Sequence, residues 1–195
     1  MPFNYISSSF FIHSWYDDKV TDYSLHKAGE AMGLPFLISA FIVPILSYAI
    51  DFHGKRAILI TFSAFLALIT FILFLTIDPI YGLFCFGISF SVFAAVVWPA
   101  ITLVVPTKLI GFALGLTTSL QNTSMAIFPL IVAFIYTKTN SYTNTLFFFV
   151  FISSISCVLA LIIKGYDSKM EGILDRADPD IVKDKLIEKK ESKKL

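Results

Sequence analysis

Charge is sorted along this chain in a way that leaves few folds open. Five stretches carry no Asp, Glu, Lys or Arg: residues 31–50, 57–77, 79–107, 109–137 and 139–163, of 20, 21, 29, 29 and 25 residues. A helix rises about 1.5 Å per residue, so about 20 residues cross a hydrocarbon core about 30 Å thick. Each stretch is long enough. Of 29 charged residues, 12 precede Lys164 and 17 follow from it onward. Hydrophobic residues make up 56% of the chain, and 21 of them are phenylalanine; a soluble domain of this length would need more polar surface. The expected class is all-α: a polytopic membrane protein with five transmembrane helices. Residues 1–16, apolar but short and Ser-rich, make a sixth, truncated candidate, and without a basic n-region they do not read as a signal peptide.

Short connections force antiparallel neighbours. Lys55 and Arg56 flank one connection, Lys108 another and the Lys-rich tail a third. Two spans separate each from the next, so all three share one side, and the positive-inside bias makes that side cytoplasmic. Asp78, Lys138 and the mixed segment 17–30, DDKVTDYSLHKAGE, fall opposite. The expected organisation is a transmembrane bundle over 1–165 and a charged, solvated cytoplasmic tail over 166–195, helical over 178–192.

Several functions are poorly supported. No Asp, Glu, Lys or Arg sits inside a span, and His13, His26 and His53 lie in loops or near the first segment, so no catalytic residue or metal ligand set is visible. Cys85 and Cys157 sit within apolar runs and read as buried hydrophobes. Acids and bases are mixed in loops and tail, which gives no nucleic-acid footprint. The chain is expected to be no enzyme and to use no cofactor.

The polarity found at membrane depth is uncharged. Thr117 and Gln121 are one helical turn apart, as are Thr118 and Asn122, giving two adjacent stripes. Amides in hydrocarbon must meet protein or a water-filled cavity. They either wall a substrate cavity or bond neighbouring helices. Gly111 and Gly115 form a GxxxG suited to close packing. The preceding run holds Ser89, Ser91 and Trp98-Pro99, and proline there, like Pro35, Pro44 and Pro129, is expected to break or kink its helix. The cavity candidates are Trp98, Gln121, Asn122, Thr118 and Ser89. In the loop DFHGKR, Gly54 permits a tight backbone, Lys55 and Arg56 are placed for lipid phosphates, and Asp51 for a helix N-terminus.

SYAIDFHGKRAIL resembles the loop motif of the major facilitator superfamily, Gly-x-x-x-Asp-x-x-Gly-Arg/Lys-Arg/Lys. Asp51, Gly54, Lys55 and Arg56 match, and Ser47 replaces the leading glycine. GISFSVFAAVVWPAITLVVP followed by GFALGLTTSLQN is similar to the tenth and eleventh helices of the superfamily branch that exports dipeptides from lysosomes. The resemblance covers residues 1–165. It implies the C-terminal half of a twelve-helix facilitative uniporter working by alternating access. The chain is then expected to be a fragment or an incomplete gene model that needs an N-terminal half. Asp51, Gly54, Lys55 and Arg56 become a conformational gating loop. The resemblance further implies a lysosomal, multi-pass location and dipeptide substrates, with a glycosylated lysosomal accessory membrane protein or a homodimer as partner beside the bilayer itself. A superfamily transporter of another small solute, or a non-transporting half-protein acting as a scaffold, also fits these residues.

Overall fold

A computed structural model describes residues 10–12, 21–169 and 172–176. Among them the chain is helical, with no strand. The helices are α1 (Asp22–His53), α2 (Arg56–Thr76), α3 (Pro79–Val104), α4 (Ile110–Thr139) and α5 (Tyr142–Lys169). A 3-10 turn, Thr107–Leu109, leads into α4. All five are long and apolar enough to cross a membrane, so each charge-free run became one helix. Residues 10–12 are also helical; the rest of the first candidate segment and the 178–192 stretch lie outside the described residues.

Helix ends follow from their capping residues. The Thr21 hydroxyl accepts the Ser24 N–H at 3.2 Å, and the Ser24 hydroxyl accepts the Thr21 N–H at 2.9 Å. This reciprocal cap starts α1 at Asp22, so the segment expected to be a connection over 17–30 is helical from there on. The Asp78 carboxylate accepts the Ile80 N–H at 3.1 Å, with Pro79 at the first helical position of α3. Lys55 and Asn140 take left-handed backbone at the two other tight turns, with φ of 58° and 48°. The internal prolines do not break their helices: Pro35 and Pro44 lie within α1, Pro99 within α3 and Pro129 within α4. Neighbouring turns keep each helix continuous, as membrane helices allow.

α3 is the centre of the bundle. It packs on α1 and α2, and α2 packs on α5. Two glycines allow the close approach: a Cβ on Gly82 would strike the Phe74 ring, and one on Gly87 would lie 3.1 Å from Pro35 Cα. An aromatic core fills the α2–α3–α5 junction, with Phe71 stacked on Phe149 at 5.1 Å between centroids and Phe74 and Phe86 beside it. Phe10, Phe11 and Ile12 are buried in the same core, so the described part of the first segment belongs to the bundle. Lipid offers no hydrophobic drive to join helices, and this packing has to supply the stability.

The two ends of the bundle obey the parity of the charges. A cleft of about 470 Å³, lined by Phe10, Ile77, Asn140 and Tyr142, joins the Asp78 and Asn140 turns at one end. At the other, basic end, the hairpin after α1 meets residues 172–176. α5 runs on to Lys169, past residue 165. Residues 172–176 then depart from the expected solvated extension; the tail from residue 177 on lies outside the described residues. Leu174 is buried against Ala57 and Ala100, because the start of α2 offers it an apolar notch and backbone N–H groups that lack intrahelical acceptors.

Candidate functional site

The amide-bearing helix is the least enclosed of the five. Val132 is the one buried residue of α4, whereas α3 buries ten. Phe112, Leu116, Leu120 and Phe134 recur on one face and are at least half exposed. At 100° per residue, Thr118, Gln121 and Asn122 fall on the opposite face. The hydroxyls there are already satisfied: Thr117 donates to Ala113 O and Thr118 to Leu114 O, each at 2.8 Å. Such back-bonding within a helix makes a hydroxyl tolerable in an apolar setting. The amides of Gln121 and Asn122 have no such recourse, and among the described residues neither side chain finds a hydrogen-bond partner. Both residues are exposed. Interhelical bonding among the described residues therefore does not account for them. A Cβ added to Gly111 or Gly115 would meet nothing within 4 Å, so the GxxxG packs no described helix.

The two α3 candidates separate. Trp98 is 39% exposed and stands near the basic end of α3. Ser89 is buried, and its hydroxyl donates to Ser63 O at 2.9 Å across the α2–α3 seam. It borders a narrow cleft of about 320 Å³ among α2, α3 and α5, lined by Ala64, Ala67 and Ala160. Its polar capacity thus serves helix packing, while Trp98, Thr118, Gln121 and Asn122 remain open.

The DFHGKR loop is a built structure. Gly54 takes φ 65° and donates to Ile50 O at 2.7 Å, ending α1. A Cβ there would collide with the backbone of Asp175 and Arg176, so glycine is needed twice over, for conformation and for space. Lys55 is exposed, as a lipid-phosphate contact requires. Arg56 is not: it is 3% exposed. Its guanidinium donates to Asp51 Oδ1 at 3.3 Å and to Arg176 O at 3.2 Å. The expectation of lipid contact fails for Arg56 because the folded-back tail covers it. Asp51 likewise meets Arg56, and the helix N-terminus is occupied by another carboxylate, that of Asp175. Ala57 N donates to Asp175 Oδ1 at 3.0 Å, Arg56 N to Leu174 O at 3.1 Å and Lys55 N to Asp175 O at 3.1 Å.

Asp175 also pairs with Lys164 of α5, and Asp167 Oδ1 accepts the Leu174 N–H at 2.9 Å. None of these residues emerged from the sequence. One signal was present: Gly172-Ile173-Leu174 is a glycine and an apolar pair inside an otherwise charged tail.

Comparison with known proteins accords with this geometry. The family model described as Major Facilitator Superfamily matches residues 3–189. Proteins named "Lysosomal dipeptide transporter MFSD1" are similar: that of Bos taurus is 27% identical over 143 residues, covering 72% of this chain and 30% of the relative. That of Gallus gallus is 26% identical over 164 residues, covering 83% and 36%, and that of Homo sapiens is 27% identical over 145, covering 72% and 31%. The chain thus spans about a third of the length of these curated relatives. No solved structure matches. Five membrane-length helices, the Asp51–Arg56 hairpin and a family match over nearly the whole chain together place this membrane protein in the major facilitator superfamily.

Proposed function

We propose that this chain forms the C-terminal half of a facilitative transporter that moves dipeptides from the lysosome lumen to the cytosol by alternating access. The observation that carries the proposal is the open amide face of α4. Gln121 and Asn122 lie at membrane depth, opposite a lipid-type stripe, with no partner among the described residues. Unsatisfied amides cost several kcal/mol in hydrocarbon, so their face meets either water and substrate or a second half. Peptide substrates carry amide donors and acceptors that such side chains match. Trp98, Thr118, Gln121 and Asn122 form the wall, and Ser89 holds the seam behind α2 and α3. An N-terminal half completes the cavity, as in superfamily transporters that bind between halves near the midplane. The basic end is cytoplasmic, and Asp51, Gly54, Lys55 and Arg56 gate it. The relatives named as lysosomal dipeptide transporters support the substrate and the organelle.

The test is uptake of labelled dipeptide by the assembled two-half transporter in liposomes. Saturable dipeptide flux is expected, and Gln121→Leu or Asn122→Leu reduces it about tenfold, the equivalent of one lost buried polar contact. Asp51→Ala lowers the flux while leaving membrane insertion intact. Absence of dipeptide-dependent flux, or equal flux of an unrelated solute, sinks the substrate assignment.

A further inference from the structure

The first turn of any helix leaves backbone N–H groups without intrahelical acceptors. In most helices the preceding residue caps them. Here that residue is Lys55, in left-handed backbone and with no side-chain cap. The acceptors come instead from a segment more than a hundred residues later: Leu174 O for Arg56, and Asp175 Oδ1 for Ala57. Asp175 thereby does for α2 what an N-cap aspartate does within its own helix. Its other carboxylate oxygen takes the Lys164 ammonium of α5. Leu174 is 8% exposed, wedged at Ala57 and Ala100. Arg176 O receives the buried Arg56 guanidinium, whose other end grips Asp51. One short turn thus ties the ends of α1, α2 and α5 together.

We propose that Asp175 is a positioning residue for the gating hairpin: it holds the first turn of α2 so that Arg56 stays buried and orients Asp51. The tail is then a working part of the gate. Its functional half rests on the transport reading above, whereas its structural half stands alone. The backbone N–H groups of Lys55, Arg56 and Ala57 all find their acceptors on Leu174 and Asp175, so removing one carboxylate should loosen the whole knot. Lys164 supports the same carboxylate from α5. Asp167 orients the turn through the Leu174 N–H.

Hydrogen exchange read by mass spectrometry on the whole chain in detergent decides the structural half. In Asp175→Ala, the amides of residues 56–57 exchange about tenfold faster, the loss of a cap and its acceptor. In Asp175→Asn the remaining carbonyl oxygen keeps them protected, and Lys164→Met gives a smaller acceleration. An unchanged pattern over α3 shows that each variant is folded. Parent-like exchange in Asp175→Ala overturns the clasp, and equal loss in Asp175→Asn overturns the capping role. In the assembled transporter, Asp175→Ala lowers maximal flux with an unchanged half-saturation concentration, and Asp175→Asn restores it. Raised exchange with unaltered flux overturns the positioning role. A parent that moves no dipeptide refutes the proposed substrate, and the exchange data still decide the clasp.

Discussion

α3 and α4 arise from charge-free runs of equal length, 29 residues each, and both carry a proline and scattered hydroxyls. α3 buries ten of its residues, against one in α4. Their polar groups differ in the same sense. On α3, Ser89 reaches across to Ser63 O, while Ser91 back-bonds to Gly87 O of its own helix in the packed interior. On α4, the hydroxyls bond their own helix and the amides are left open. Two charge-free runs of equal length can therefore serve opposite ends. On α3, Ser89 joins two helices of this chain; on α4, Gln121 and Asn122 stay exposed, as the proposed cavity wall requires. α1 is likewise open on one side, with Leu37, Phe41, Ile45 and Tyr48 exposed along one face.

That contrast can be broken by paired substitutions, measured as unfolding of the purified chain in mixed micelles. The largest effect is expected for Phe71→Ala. It empties the slot against Phe149 and should cost about 3–5 kcal/mol, whereas Phe134→Ala on exposed α4 should change stability by less than about 0.5 kcal/mol. Next comes overpacking. Gly87→Leu drives carbon into Pro35 and Ile38 and should cost about 3 kcal/mol, while Gly115→Leu is accommodated. A comparable loss in both members of either pair would erase the distinction. Ser89→Ala should cost about 1 kcal/mol, the worth of one interhelical hydrogen bond. The smallest effect is expected for Gln121→Leu with Asn122→Leu: stability of this chain unchanged, or raised slightly, with transport lost in the assembled protein. A large destabilisation there would mean that the amides serve packing after all.

Much of the fold was legible because the bilayer imposes it. Each charge-free run became one helix, since a backbone in hydrocarbon must bond itself. The side shared by Lys55 and the tail followed from counting spans. The Asp51–Gly54–Lys55–Arg56 motif was visible as residues, and the amide stripes as spacing. The sequence misplaced what depends on long-range contact. Arg56 looked like a lipid anchor because its cover, Leu174 to Arg176, lies more than a hundred residues away. Nothing local shows that Ser63 stands opposite Ser89 and takes its hydroxyl. The stretch from Asp22 to Glu30 looked like a loop because its charges hide a capping pair at Thr21 and Ser24.

Charge sorting and helix length alone determined that the described residues hold five membrane-length helices and a basic end, because those depend on solvation, which each residue contributes separately. Only the tertiary structure decided which of the helices is enclosed, which amides stay open on the surface of the bundle, and that Asp175 caps α2. Those are properties of pairs of residues, and a pair exists only once the chain has brought its members together.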